Sequence, residues 1–280
     1  MLNRASIAAI AALALIASLP SHAATARFGE LKGNPSLQSA SALVMDHQGN
    51  MIYGKDLDTV RPIASITKLM TAMVVIDGGQ KLDEKLTITT EDRDTLKATG
   101  SRLAYGAKLS RKDLLLLAVM SSENRAAAAL GRNWPGGTTD FVKQMNLKAQ
   151  ELGMSNSRFT DPAGLHPGNQ ATARDLGKMI AAAQNYALIS EASVTQSKAV
   201  LPFADRGPLT YVNTNRLLKN SNWEISLSKT GYLHESGRCL VMHARIAGEP
   251  VFIVLLNSFG KLTPFGDSNR LLKWMLAQSN

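Results

Sequence analysis

Arg61-Pro62-Ile63-Ala64-Ser65-Ile66-Thr67-Lys68 runs straight into Leu69-Met70-Thr71-Ala72-Met73-Val74-Val75-Ile76, an apolar stretch with helical spacing. The order puts a serine at a helix start. Lys68 follows Ser65 by three positions, close to one helical turn, so amine and hydroxyl share a face and lie within reach of each other. A serine hydroxyl attacks only once a base takes its proton, and a lysine serves as that base only where desolvation or nearby cations lower its pKa. The apolar neighbours of Lys68 supply such a setting. Alone, Ser-x-x-Lys also describes a helix cap followed by a solvated lysine, so its meaning depends on the rest of the chain.

The chain has 280 residues, 45% hydrophobic and 19% charged, enough for one globular unit with a large core. Arg4, the apolar run Ala5 to Leu19, Pro20 and the small-residue site Ser21-His22-Ala23 read as a secretory signal peptide over residues 1–23. No later run reaches the roughly 18 uncharged apolar residues of a membrane helix, so an exported, periplasmic protein without a membrane anchor is expected. Cys239 is the only cysteine, which excludes an intramolecular disulfide. The formal charge is +9, but the 31 Lys and Arg form no block, so a nucleic-acid arm is not expected. A basic surface suits an anionic envelope polymer or serves solubility alone.

Residues 24–40 read as an irregular lead-in. Ser41 to Met45 and Met51 to Gly54 then flank the turn Asp46-His47-Gln48-Gly49-Asn50, the pattern of a hairpin. The Ser65 helix should end at Gly78-Gly79. Helical signals follow: Ser110 to Asp113 as a capping box for Leu114 to Met120, then Arg125 to Leu130, then Phe141 to Leu152 capped by Thr139 or Asp140. A second capping box, Thr172 to Asp175, opens a helix through about Tyr186. Glu224 to Lys229, Arg238 to Arg245 and Val251 to Leu256 read as antiparallel strands, and Asp267 as the cap of a last amphipathic helix. The expected architecture is α/β (α+β), one domain over 41–280. Its sheet lobe takes about 41–80 and 210–280, with a helical lobe of about 81–209 inserted between them.

Two more motifs stand where that architecture wants them. Ser122-Glu123-Asn124 lies in a loop between helices, and Lys229-Thr230-Gly231 ends a strand. With Ser65-x-x-Lys68 they form, in order, the Ser-x-x-Lys, Ser-x-Asn, Lys-Thr-Gly set of penicillin-binding proteins and serine β-lactamases. The chemistry accounts for the residue types. Lys68 can take the Ser65 proton, and Ser122, between Lys68 and a cationic Lys229, can pass one to the departing amine. The Asn124 amide can position Lys68 and the substrate backbone. Lys229 and the Thr230 hydroxyl can bind a substrate carboxylate, and Gly231 leaves the strand edge open to a substrate strand.

The chain resembles low-molecular-mass penicillin-binding proteins, and specifically the D-alanyl-D-alanine endopeptidases among them. The likeness rests on Pro62 to Met70, Met120 to Ala127, Phe159-Thr160-Asp161-Pro162-Ala163-Gly164-Leu165 and Leu227 to Tyr232, and covers about residues 38–276. It implies a transpeptidase fold, a central antiparallel sheet flanked by helices with an inserted helical subdomain and the site between them. It also implies an oxyanion held by the backbone N–H groups of Ser65 and Tyr232. Few residues follow the last helix, so the extra C-terminal β domain of many D,D-carboxypeptidases is expected to be absent. The implied partners are peptidoglycan peptide stems and, as acylating inhibitors, β-lactams.

The expected activity is hydrolysis of D-alanyl cross-links through a Ser65 acyl-enzyme, with D,D-carboxypeptidase as the alternative on the same site. A β-lactamase would need a further base for deacylation, and no Glu-x-x-Leu-Asn motif lies between the second and third motifs. A non-catalytic peptidoglycan-binding protein would need neither both lysines nor both serines. No cofactor is expected. His47, His166, His234 and His243 lack metal-ligand spacing, and Cys239, in an apolar run, reads as a buried structural thiol.

Overall fold

The structure, a computed structural model, describes Phe28 and residues 31–277; the expected signal peptide lies outside them. Residues 31–40 contain no helix or strand. Strands β1 (Ser41–Asp46) and β2 (Met51–Lys55) form the expected hairpin. The Asp46 carboxylate ties its turn by accepting from the backbone N–H groups of Gln48 and Asn50 at 2.9 and 2.8 Å. After the short β3 (Arg61–Pro62), a single 3₁₀ turn, Ala64–Ile66, leads into helix α1 (Thr67–Asp77). The ribbon of β4 (Lys85–Thr87) and β5 (Lys108–Ser110) precedes α2 (Arg111–Met120), whose start Ser110 caps by accepting from the Asp113 N–H at 3.0 Å. Then come α3 (Asn124–Arg132) and α4 (Gly137–Glu151).

Helix α4 starts earlier than Thr139 or Asp140 would have it. Gly136, at φ 83°, turns the chain into the helix without a side-chain cap, and Asp140 sits inside the first turn, where the positive end of the helix favours it. Strand β6 (Gln170–Ala171) pairs with β3, and α5 (Ala173–Ala183) begins at Thr172 as expected. It stops short of Tyr186, whose backbone is extended and whose hydroxyl donates to the Asp77 carboxylate at 2.9 Å. A separate α6 (Ala187–Val194) and the ribbon of β7 (Ser197–Val200) and β8 (Leu209–Val212) follow, none of them anticipated.

The last strands, β9 (Glu224–Leu233), β10 (Gly237–Ile246) and β11 (Glu249–Ser258), are longer than their apolar runs suggested, so Lys229-Thr230-Gly231 lies within a strand rather than at its end. Helix α7 (Thr263–Leu276) begins before Asp267, with Pro264 in its first turn. Asp267 is buried instead, accepting from the N–H groups of Gln38 and Ser39 at 3.0 and 2.7 Å, and so pins the lead-in to this helix.

The antiparallel sheet runs β2-β1-β11-β10-β9, joining the first hairpin to the last three strands and leaving β9 as an edge. Strand β11 is buried on both faces. Phe252, Val254 and Leu256 enter a large core shared with α1, α2 and α5, while Val251, Ile253 and Leu255 enter a smaller one covered by α7 through Leu271 and Met275. Helix α1 lies inside the larger core, with every residue from Thr67 to Val75 buried. Each fully buried Leu, Met or Val stabilises by roughly 1.5–3 kcal/mol. Five such residues on α1 therefore outweigh the cost of one buried lysine, and Lys68 is held without access to water.

Candidate active site

Ser65, half-buried, is the middle residue of the 3₁₀ turn, and Lys68 is fully buried one turn on. The turn is strained: Ala64 adopts φ 48°, a left-handed conformation that costs an alanine about 1–2 kcal/mol. Its neighbours hold it. A Cβ on Gly164 would lie 2.1 Å from the Ala64 carbonyl oxygen, so only glycine lets that loop seat against the turn. A Cβ on Gly231 would lie 2.9 Å from the Ile63 oxygen and 3.2 Å from the Ser65 nitrogen. Strand β9 thus abuts the serine turn directly at its glycine.

Lys68 Nζ lies 2.8 Å from Ser65 Oγ, 2.8 Å from Asn124 Oδ1 and 2.5 Å from the Ala163 carbonyl oxygen. An ammonium uses all three as acceptors. Once it loses a proton, two N–H groups remain for the two carbonyl-type oxygens, which can only accept. The lone pair is then left facing Ser65 Oγ, the one partner able to donate. Burial pushes Lys68 down to about 8, against an upward pull from Asp161, Glu123 and Asp94.

Ser122 stands in the link between α2 and α3 at φ 61°, and Asn124 is the first residue of α3. Lys229 Nζ donates to Ser122 Oγ at 2.9 Å and to the Thr230 carbonyl oxygen at 2.8 Å. Lys229 is buried and its pKa falls well below the ordinary lysine value, first through burial and then through repulsion from Lys68. Desolvation, rather than the charge of Lys229, is what lowers Lys68. The Ser122 hydroxyl is bonded on the Lys229 side. Thr230 Oγ1 donates to Thr214 Oγ1 at 2.6 Å, and Tyr232 is exposed.

All eight residues singled out in the sequence meet here. Ser65, Ser122, Asn124, Thr230, Gly231 and Tyr232 line one open cleft of ≈ 330 Å³ together with Thr214, Arg238, Lys261, Pro264 and Phe265, and Lys68 and Lys229 lie buried beside it. Cys239 reaches the same wall, but burial pushes its thiol up to about 11, so it stays protonated. Among the described residues no cluster of three metal-ligating side chains occurs.

Two supports were not read from the sequence. The Asp161 carboxylate accepts from the N–H groups of Ala163, Gly164 and His166 at 2.7, 2.6 and 2.8 Å, winding the loop so that the Ala163 carbonyl meets Lys68. The Asp-Pro-x-Gly spelling was the available signal, since an aspartate before such a turn commonly caps it. Asn124 Nδ2 donates to Thr99 Oγ1 at 2.9 Å, and the Thr99 hydroxyl donates to Asp94 at 2.6 Å. That chain fixes which end of the amide faces Lys68. Nothing in the sequence links residue 99 to residue 124.

A model of the D-alanyl-D-alanine carboxypeptidase family matches residues 29–260. The chain belongs to this family. It is a serine D-alanyl-D-alanine peptidase, and its relatives include enzymes named for either of two cuts. A D-alanyl-D-alanine endopeptidase of Pseudomonas aeruginosa is 48% identical over 85% of this chain and 77% of that protein. An Escherichia coli endopeptidase is 43% identical over 97% of this chain and 88% of its own length. Among solved structures, a Streptomyces DD-transpeptidase superposes with a TM-score of 0.81 at 28% identity, over 88% of this chain and all of that one. As a member of this family the chain has the penicillin-binding protein type of α/β fold expected from its motifs.

Proposed function

We propose that this peptidase is an exported D,D-endopeptidase that cleaves D-alanyl cross-links of peptidoglycan through an acyl-enzyme on Ser65. The observation that carries the mechanism is the contact set of Lys68: two obligate acceptors and one hydroxyl, on a lysine already lowered to about 8. Ser65 Oγ attacks the D-alanyl carbonyl carbon as its proton passes to Lys68 Nζ, and the N–H groups of Ser65 and Tyr232 hold the oxyanion. The C–N bond breaks as the leaving nitrogen takes the Ser122 hydroxyl proton, the Lys68 ammonium returns a proton to Ser122, and water then releases the acyl group with the neutral Lys68 again as base. A substrate carboxylate at Thr230 favours the charged form of Lys229. Repulsion between the two buried amines then keeps Lys68 neutral, ready to act.

The endopeptidase cut is supported by the names of the two relatives above 40% identity. Export to the periplasm is supported by the reading of residues 1–23, and among the described residues no helix is long and apolar enough to cross a membrane. β-Lactams fit as acylating inhibitors because their strained amide presents the same carbonyl to Ser65 without a leaving group that departs. The test is to digest purified cross-linked dimers and pentapeptide monomers with the mature protein and compare specificity constants. Dimers should be split into monomers faster than D-alanine is released. Release of D-alanine with dimers left intact would make the protein a carboxypeptidase with the same residues in the same roles.

A further inference from the structure

A second groove lies outside the five-stranded sheet, and none of its residues lines the catalytic cleft. It has a volume of ≈ 430 Å³ and runs between the β4/β5 ribbon, which supplies Lys85 and Lys108, and the segment after β7, which supplies Leu201 and Phe203. The Lys108 N–H donates to the Pro202 carbonyl oxygen at 2.9 Å, so backbone joins the two sides. Register explains the charge. Lys85 is paired with Ser110 and Thr87 with Lys108, which makes the two lysines diagonal neighbours on one face of the ribbon, while Leu86 and Leu109 are buried on the other. Diagonal neighbours lie about 7–8 Å apart, close enough for like charges to repel. The protein supplies no counter-charge: among the described residues neither lysine is ion-paired, and Glu84, next to Lys85 in sequence, is taken by Arg111. Arg206 adds a third cation, its guanidinium 4.3 Å from the centroid of the Phe203 ring. Neither it nor the adjacent Asp205 is ion-paired among the described residues. Between these cations the groove is apolar, with Leu201 66% exposed and Phe203 half-buried.

A ligand that suits both features is a short chain with free carboxylates and small apolar groups between them. Peptidoglycan stems are such chains, since alanyl methyl groups lie among free carboxylates. The groove also stands at a useful distance from the cleft. The β7/β8 ribbon joins the two: Leu201 follows β7 at one end, and Thr214, which lines the cleft, follows β8 at the other. The five steps of extended chain from Leu209 to Thr214 span at most about 17 Å, so one stem of a network can rest in the groove while another is cut. We propose that this groove is a non-catalytic subsite that binds a carboxylate-bearing peptide stem of a neighbouring peptidoglycan strand through Lys85, Lys108 and Arg206, with Leu201 and Phe203 against its alanyl methyl groups. The subsite rests on the polymer substrate of the proposed function and deepens that reading. It gives the enzyme a second point of attachment, which raises the effective concentration of cross-links at the cleft.

Nuclear magnetic resonance titration of the isotope-labelled mature protein tests it, with a purified uncross-linked tetrapeptide muropeptide as probe and the cleft first treated with benzylpenicillin. The amide signals of Lys85, Gly106, Lys108, Leu201 and Ala204 should shift and saturate. The double variant Lys85→Gln, Lys108→Gln should bind about 3–30-fold more weakly, the worth of two exposed charge pairs, and amidation of the probe's carboxylates should have the same effect. Leu201→Ser should weaken binding by a few-fold with the charges intact. On intact sacculi the double variant should release cross-links a few-fold more slowly, while its kcat/KM on soluble cross-linked dimers stays at the wild-type value. Silent groove signals, an affinity unchanged in the double variant, or equal binding of the amidated probe would each overturn the subsite. A stronger response of the same signals to phosphatidylglycerol vesicles or to an L-glutamate oligomer would also overturn it, assigning the groove to a membrane surface or to an acidic protein. The two readings fail separately. Groove shifts in a protein that takes no penicillin leave the subsite standing without the acyl-enzyme, whereas penicilloyl protein with a silent groove loses the subsite alone.

Discussion

Lys68 sets the pH dependence. Its folded value of about 8 lies below its ordinary 10.5, so the unfolded chain takes up a proton between those values that the folded chain refuses. The cost is absent above 10.5, grows as pH falls, and is complete below about 8, where it amounts to about 3 kcal/mol. The same shift makes the amine available near neutral pH. Acylation by a labelled penicillin should rise with pH through an inflection near 8, and Lys68→Ala should lower it by orders of magnitude at every pH. A flat profile from pH 6 to 9 in the wild type would move the base elsewhere. Gly231 offers a second check at this scale. Its Cβ would meet backbone rather than a flexible side chain, so Gly231→Val should push β9 off the serine turn. We expect a loss of about 1–3 kcal/mol in chemical denaturation and at least tenfold slower acylation. These residues were legible in the sequence because their types and spacings encode chemistry. The partners of Lys68 were not, since a backbone carbonyl such as that of Ala163 has no spelling of its own.

At the scale of elements, the two turns that support the site carry its precision. The chain Asp94, Thr99, Asn124 ends on the amide oxygen that Lys68 uses. Thr99→Val removes the acceptor for Asn124 Nδ2 and lets the amide rotate, so acylation should fall by about tenfold, with recovery in Thr99→Ser. Equal rates in wild type and Thr99→Val would assign the orientation of Asn124 to Lys68 alone. The elements that sequence reading placed correctly are those with a strong local signal. Ser110 and Thr172 cap their helices as their boxes predict, and β11 reads as an apolar run because both its faces are buried. The failures have physical reasons too. Tyr186 leaves its helix for a tertiary bond to Asp77, and Asp267 leaves the cap position for the irregular lead-in at Gln38 and Ser39, choices made by contacts far away in the chain. The ribbon of β7 and β8 consists of four-residue strands with mixed burial, too short to show a period.

Across the whole molecule, the site exists because the edge of the sheet meets the helices that share its larger core. The sheet supplies Lys229 to Tyr232, while α1, α3 and the turns before them supply Ser65, Lys68, Ser122 and Asn124. The insertion between the first hairpin and the last three strands was inferred from strand and helix runs alone, and the motif order then placed the serine turn at the junction. Gly231 was expected on an open strand edge, and β9 is an edge strand; the seating of that glycine on the serine turn had no signal in the sequence, because it depends on how distant elements meet in space. A cleft bounded by an open strand edge and by cations suits a long, anionic peptide substrate. The proposed reaction requires covalent chemistry at one hydroxyl, that of Ser65. Intact mass spectrometry of the mature protein after exposure to benzylpenicillin should show a single added penicilloyl group, mapped by peptide digestion to Ser65 and absent from folded Ser65→Ala. A folded wild-type protein that takes no adduct, or one modified at another residue, would contradict it.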